Sequence, residues 1–240
     1  MSESKISRRE ANSHDALPVV SGAGATPGLM QGVLRPVLVS AVLFMLVTGV
    51  GYPLLATGAA KLLFAQQAEG SLVMRDGQPV GSAVVGQNFV KPDYFHPRPS
   101  ATQGPDPQDA SKSVATPYNA GMSGASNWGP TNKKLVDAVA ERVSDYRADN
   151  GLAANSPVPV DAVTASGSGL DPDISVANAR LQTARVARVR GLPLAGVEQL
   201  VADNTRGRVL GLLGEERINV LQLNLALDAL QRTSGQPRKS

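Results

Sequence analysis

Residues 36–60 read PVLVSAVLFMLVTGVGYPLLATGAA and contain no Asp, Glu, Lys, Arg or His. About 20 apolar residues in a helix cross the hydrocarbon core of a bilayer. The stretch therefore predicts a transmembrane helix, which we place at residues 34–60. Two alternatives are a buried core helix and a cleaved signal peptide with its cleavage site in the small residues 57–60. A core helix usually carries a polar stripe, and a signal peptide usually has a shorter apolar region, so both are disfavoured.

Four residues interrupt the large aliphatic side chains of this span: Gly49, Gly51, Pro53 and Gly58. Proline removes a backbone hydrogen-bond donor, so a kink is expected at Pro53. Glycines allow a second helix to approach closely. We therefore predict that this side of the span packs on a partner helix within the membrane.

The basic residues around the span predict its orientation. Those before it are Lys5, Arg8, Arg9 and Arg35, and those shortly after it are Lys61 and Arg75. Basic residues favour the cytoplasmic side. We expect residues 1–33, which show no periodicity, to be a disordered cytoplasmic tail and residues 61–232 to fold outside the cell. The polar residues 233–240 are expected to be a disordered C-terminal tail.

The outer segment is expected to form one small α+β domain. The expected elements are a hairpin of strands 72–75 and 82–85 around Asp76-Gly77, a surface loop at 95–117, helices starting after Thr131 or Asn132, at Ser175 and at Pro193, an apolar strand at 209–213, and a helix at 219–230. The chain has no cysteine, which excludes disulfides and thiol chemistry. Its basic residues are scattered without interleaved aromatic residues, so nucleic-acid binding is not expected.

The sequence gives little support to catalysis. Its histidines are His14, in the tail, and His96, in a Pro-rich segment. Ser166 and Ser168 do not fit the G-x-S-x-G pattern of a nucleophilic serine. Gly167 and Gly169 are expected to permit unusual backbone angles before a turn. The nearby aspartates, Asp161, Asp171 and Asp173, offer only one Asp-x-Asp pair, which is a weak cation signal.

Residues 118–132 combine small hydrogen-bonding residues with the only tryptophan, Trp128. Such a segment either presents backbone amides and amide side chains to a ligand or protein, or forms a tight turn before the next helix. Together with residues 166–173 it would be the site of a membrane-anchored binding module.

Seven segments in one order resemble a known family. They are LRPVLVSAVLFMLVTGVGYPLL (34–55), GSAVVGQNF (81–89), YFHPRPSA (94–101), SGASNWGPTN (123–132), VTASGSGLDPDIS (163–175), RVARVRGL (185–192) and LGEERINVLQLNLALD (213–228). Together they resemble the C subunit of the bacterial Kdp-type potassium-transporting P-type ATPase complex, over residues 34–230.

This resemblance implies an accessory subunit in the inner membrane of a bacterial cell. Its partners would be a channel-like potassium-binding subunit, an ATP-hydrolysing P-type subunit and a small single-span subunit. The chain lacks the Asp-Lys-Thr-Gly-Thr loop of P-type pumps, so ATP would be hydrolysed by a partner. Potassium would be the transported ion of the complex, not a ligand of this chain.

The resemblance also implies a catalytic chaperone that raises the ATP affinity of the hydrolysing subunit, through a loop likened to the signature loop of ABC transporters. In this chain that loop is Ser123, Gly124, Ser126 and Asn127. The predicted topology conflicts with direct ATP contact, because it puts these residues outside the cell. We expect the outer domain instead to cap the extracellular entrance of the potassium-binding subunit. The candidate ligand or partner residues are Ser123, Gly124, Ser126, Asn127, Ser166, Ser168 and Asp171.

Overall fold

The computed structural model describes residues 29–233, and the chain divides after Ala59 into two compact units. Most of the two predicted tails lies outside the described residues. The described chain begins with one apolar helical segment, longer than the predicted 34–60: α1 (Leu29–Leu46), a π-helical turn (Val47–Gly51) and α2 (Tyr52–Leu63). The most apolar 18 residues of this segment have a mean hydropathy of 2.2, and none of residues 32–63 is buried. Within the described chain, this is the one helix apolar and long enough to cross a membrane.

The apolar segment is irregular where Pro53 predicted a kink. The N–H of Tyr52 donates to the carbonyl oxygen of Val47, five residues earlier, as in a π-helix. Pro53 has no N–H to offer the carbonyl of Gly49, and a wider turn is one way in which a helix adapts to a missing donor. The regular helix is thus interrupted just before the proline.

The second unit contains helices and small antiparallel sheets, so the predicted α+β class is confirmed. Its helices are α3 (Ala65–Ala68), α4 (Lys133–Asn150), α5 (Val160–Val163), α6 (Val176–Arg190), α7 (Leu194–Asp203) and α8 (Val220–Thr233). Its strands are β1 (Leu72–Arg75), β2 (Gln78–Ser82), β3 (Gln103–Pro105), β4 (Ser113–Ala115), β5 (Asp173–Ser175), β6 (Thr205–Arg206) and β7 (Arg217–Asn219). The core lies among α6, α7, α8 and the sheet β5-β7-β6.

The predicted starts of the long helices are confirmed by their caps. The side chain of Asn132 accepts a hydrogen bond from the N–H of Lys134 at 2.9 Å and caps α4. Ser175 accepts from the N–H of Asn178 at 3.1 Å and caps α6. Gly191 ends α6 with a left-handed φ of 68°. Each cap satisfies backbone groups that the helix itself leaves unpaired.

The predicted hairpin is correct in its first strand and its turn but wrong in its second strand. The pairing resumes at Gln78, opposite Arg75, and ends at Ser82 instead of beginning there. Asp76 and Gly77 both have positive φ, 52° and 77°, which makes a two-residue turn with no further loop.

Two other expectations for the domain are wrong. The surface loop expected at 95–117 contains the hairpin β3–β4 and begins with Phe95, which is fully buried. The strand expected at 209–213 is an exposed turn closed by a single bridge between Val209 and Leu213.

The four arginines of α6 differ in their burial. Arg180 and Arg188 are exposed, but Arg185 and Arg190 are buried. Arg185 donates to the carbonyl oxygens of Pro92 and Tyr94 and to the side chains of Asn150 and Gln182. Burial lowers the pKa of the Arg185 guanidinium.

Arg190 bonds the same segment at a second point. Its guanidinium donates to the carbonyl oxygen of Asp93 and to the carboxylate of Asp228, and it lies 4.7 Å from the centre of the Tyr94 ring. The two buried arginines therefore fasten residues 92–94 to helices α6 and α8.

Candidate functional site

The two loops singled out in the sequence lie against each other. The N–H of Gly124 donates to the carbonyl oxygen of Ser168 at 2.9 Å, and the hydroxyl of Ser123 donates to the same oxygen at 3.0 Å. We call residues 122–128 the contact loop and residues 166–171 the serine turn. Five candidates, Ser123, Gly124, Ser166, Ser168 and Asp171, are thus brought into one region of the domain.

The serine hydroxyls of the serine turn accept hydrogen bonds from backbone N–H groups of the same turn. Ser166 Oγ accepts from the N–H of Gly169 at 2.9 Å, and Ser168 Oγ accepts from the N–H of Leu170 at 3.1 Å. His96, the only histidine within residues 29–233, has its Nε2 bonded to the carbonyl oxygen of Lys91 at 3.0 Å. These bonds give the two serine hydroxyls a structural role.

Gly169 allows the contact loop and the serine turn to approach each other closely. Its φ is +68°, and a Cβ there would lie 2.6 Å from Thr102 Cγ2 and 2.7 Å from the carbonyl oxygen of Gly124. The expectation of an unusual backbone is therefore correct for Gly169. It is wrong for Gly167, which has no positive φ and has open space where a Cβ would lie.

The three aspartates bind different partners. Asp171 pairs with Arg98 at 2.8 Å, and Asp173 pairs with Arg217 at 3.0 Å. Asp161 accepts three hydrogen bonds at the start of α6. Burial, and then the charge of Asp171, raise the pKa of the Asp173 carboxyl. In the part of the chain that the structure describes, no three potential ligand side chains converge on a metal position.

Residues from the Pro-rich segment support the site, and the sequence did not single them out individually. Ser100 Oγ donates to the carbonyl oxygen of Gly169 at 2.7 Å and accepts from the N–H of Tyr118 at 3.0 Å. The hydroxyl of Tyr118 donates to the carbonyl oxygen of Arg98 at 2.8 Å. Burial raises the pKa of the Tyr118 phenol, which stays neutral and continues to donate. The block YFHPRPSA was the only available signal for Arg98 and Ser100.

The contact loop borders an open pocket of about 650 Å³. Its lining includes the side chains of Thr102, Gln103, Met122, Ser123, Ser126, Trp128, Leu135 and Arg142. Asn127, with a φ of 53°, is not part of the lining. The guanidinium of Arg142 turns toward α5 and donates to the carbonyl oxygen of Val163 at 3.1 Å. The volume and the mixed apolar and polar lining fit a small molecule or a protein side chain.

Comparison with known proteins identifies the family. The sequence model of the family described as "K+-transporting ATPase, c chain" matches residues 34–229. The chain belongs to this family. Curated relatives named potassium-transporting ATPase KdpC subunit include one from Polaromonas naphthalenivorans, 59% identical over 203 residues, which are 84% of this chain and 97% of the relative. The relative from Bradyrhizobium diazoefficiens is 54% identical over 195 residues, 81% of this chain and 96% of the relative. That from Mycobacterium bovis is 52% identical over 201 residues, 84% of this chain and all of the relative.

The resemblance drawn from seven segments is therefore confirmed. Several of these segments have structural roles in this member of the K+-transporting ATPase c-chain family. YFHPRPSA supplies Arg98 and Ser100 to the site, and RVARVRGL supplies the buried Arg185 and Arg190.

The four residues predicted to pack in the membrane have free surroundings within the described chain. A Cβ on Gly49 or Gly58 would meet nothing within 4 Å, and one on Gly51 would meet only the carbonyl oxygen of Leu46, at 3.6 Å. Pro53 is the second residue of α2 and lies two residues after Gly51, the last residue of the π-helical turn. A partner helix has room to approach there, and its presence stays a prediction.

Proposed function

We propose that this chain is an accessory subunit of an ATP-driven potassium uptake pump in a bacterial inner membrane. Its N-terminus lies in the cytoplasm, its apolar helix crosses the membrane once, and its α+β domain folds outside. Its partners are the potassium-binding channel-like subunit, the ATP-hydrolysing subunit and a small single-span subunit. It stabilises their assembly, and its outer domain caps the extracellular entrance of the potassium-binding subunit.

The observation that carries this proposal is the apolar helix itself. None of residues 32–63 is buried, although aliphatic side chains dominate this segment. An apolar surface of this length is stable in lipid and against another membrane helix. Gly49 and Gly58 leave the open surface against which a helix of the potassium-binding subunit would pack.

Two altered chains test the division of roles. The first lacks residues 62–240, and the second keeps them behind an unrelated single span in place of residues 34–60. We expect both to lose co-purification with the pump subunits and potassium-stimulated ATP hydrolysis. A fully assembled, active complex with the first chain would refute the role of the outer domain.

The orientation can be tested separately, because the chain has no native cysteine. Ser7→Cys and Ser113→Cys introduce one thiol before the span and one after it. We expect a membrane-impermeant maleimide added to intact spheroplasts to label only the second variant. Labelling of the first variant alone would reverse the topology.

We further propose that any gain in the pump's ATP affinity reaches the hydrolysing subunit through assembly, without contact between the nucleotide and the contact loop. The hydroxyl of Ser123 and the N–H of Gly124 are both bonded to Ser168, so neither is free for a phosphate. In the assembled pump, Ser123→Ala and Ser126→Ala should leave the KM for ATP within about twofold. A tenfold rise without loss of the subunit would favour direct contact.

A second candidate function is a membrane-anchored module that binds an extracellular ligand. The pocket of about 650 Å³ beside the contact loop favours it. Trp128 lines this pocket, so its fluorescence in the purified full chain reports occupancy. A saturable response to a small molecule without pump subunits would support this function, and Arg142→Ala should weaken the response.

A further inference from the structure

An exposed apolar tip connects β6 to β7. We define it as residues 207–214, of sequence GRVLGLLG. Its four aliphatic side chains are mostly in solvent: Val209 is 54% exposed, Leu210 88%, Leu212 82% and Leu213 64%. No residue between 205 and 216 is buried, so no other element of the described chain covers the tip.

The tip has a defined shape. The N–H of Val209 donates to the carbonyl oxygen of Leu213 at 2.8 Å, and the N–H of Leu213 donates to that of Val209 at 3.0 Å. At its base, Arg208 pairs with Glu215 at 2.8 Å. A closed turn of this kind loses less conformational freedom on binding than a loose loop does.

Leu210 is unfavourably placed for the isolated domain. Its φ is 54°, in the left-handed region that side chains other than Gly, Asn and Asp seldom adopt. Its side chain is also the most exposed leucine of the domain. Strain of this kind, together with an uncovered apolar group, gives no advantage to folding and points to a binding role.

The charges around the tip favour a protein over a lipid surface. Arg206 and Arg208 are balanced by Glu215 and Glu216, and the tip contains no aromatic residue. Segments that insert into membrane surfaces usually carry a surplus of basic residues together with Trp or Phe. An apolar centre with a rim of mixed charge is typical of protein interfaces.

The small area of the tip indicates what kind of protein it contacts. Four aliphatic side chains present a few hundred Å², whereas a stable interface buries about 1,200 Å² or more in total. The tip alone is thus too small to hold two free molecules, including two copies of this chain. It suffices for a partner already held nearby, since anchoring in one membrane raises the effective concentration.

We propose that the apolar tip inserts into an apolar cleft on the outer face of another subunit of the same membrane complex, with Arg208 and Glu215 at the rim of the contact. This inference rests on the proposed function, which supplies the anchored partner. Leu210 and Leu212 provide the centre of the contact.

Cross-linking identifies the molecule that the apolar tip contacts. Leu212→Cys carries a photoreactive label in the purified complex, and Val160→Cys, 72% exposed in the same domain, is the matched control. We expect the label at Leu212→Cys, but not the label at Val160→Cys, to cross-link to one pump subunit. Equal cross-links from both positions, or a cross-link of Leu212→Cys to lipid or to a second copy of the chain, would overturn the proposal.

A double variant, Leu210→Asn with Leu212→Asn, tests its energetic importance. Asn tolerates positive φ, so the unfolding midpoint of the variant should not fall. The concentration of added chain that gives half-maximal restoration of ATP hydrolysis should rise by roughly tenfold or more, since burying one leucine accounts for about that factor. The control is Val90→Asn with Val160→Asn, which should leave this half-maximal concentration unchanged.

The outcomes separate the two proposals. If the wild-type chain restores activity and the Leu210→Asn, Leu212→Asn variant matches it, the inference about the tip is wrong and the proposed function stands. If the wild-type chain neither assembles nor restores activity, both are wrong.

Discussion

Arg185→Ala should destabilise the α+β domain more than any other substitution proposed for it. The side chain is 2% exposed, and its guanidinium serves four acceptors: Asn150 Oδ1 at 3.0 Å, Tyr94 O at 2.9 Å, Gln182 Oε1 at 2.8 Å and Pro92 O. Alanine leaves these acceptors without this donor and opens a cavity among them. The carbonyl groups of Pro92 and Tyr94 are bonded to α6 through this side chain, so the segment that carries them should loosen as well.

The magnitude follows from the number of bonds lost. Each hydrogen bond to a charged group contributes about 1.5–3 kcal/mol, and the contributions of bonds to one side chain are not additive. Removing one partner from a buried charged cluster costs roughly 3–5 kcal/mol, and we expect a loss in this range. That is a large part of the total of about 5–15 kcal/mol for an ordinary domain.

The assay is urea unfolding of the full chain in mild detergent, followed by the fluorescence of Trp128. Arg188→Ala is the matched control, because Arg188 is exposed on the same helix, and it should change the free energy of unfolding by no more than about 0.5 kcal/mol. Arg185→Lys should be intermediate, since an ammonium cannot reproduce the fork of the guanidinium. A loss below about 1 kcal/mol for Arg185→Ala would refute the structural role assigned to this residue.

Three further predictions concern the same domain. Gly169→Ala should lower the free energy of unfolding by about 2 kcal/mol, because of its positive φ and the contact with Thr102, whereas Gly167→Ala should change it by about 0.5 kcal/mol or less; equal effects would contradict the assigned loop geometry. Burial and the charge of Arg185 lower the pKa of His96 in the folded state, so the unfolded chain binds more protons. The contribution of neutral His96 to the free energy of unfolding should be fully present above about pH 6.5 and be lost as the pH falls below it. His96→Gln should remove this pH dependence from acid unfolding curves. Asn132→Ala removes the cap of α4 and should cost about 1 kcal/mol in urea unfolding; no change would mean that the cap is dispensable.

Features with a local cause could be predicted from the sequence. The caps of α4 and α6 follow from Asn132 and Ser175, and the end of α6 follows from Gly191, because these residues satisfy helix ends by themselves. The apolar helix follows from composition alone. Strands β5, β6 and β7 have only two or three residues, too few for an alternating pattern, so the sequence did not reveal this sheet.

The buried arginines could not be predicted because charge normally indicates exposure. Arg185 and Arg190 are buried only because carbonyl groups and side chains from distant segments surround them. The same limit applies to the site: the two loops were identified, but their contact through Ser168 depends on Gly169 and on support from Ser100. Such long-range contacts leave no periodicity in the sequence.

The most direct test of the central claim is an add-back assay. The potassium-binding, ATP-hydrolysing and small subunits are purified without this chain, and potassium-stimulated ATP hydrolysis is measured after adding either the full chain or a chain ending at residue 61. We predict that the full chain restores hydrolysis and remains bound, whereas the truncated chain does neither. A pump that is fully active before any addition, or equally active with the truncated chain, would contradict the account.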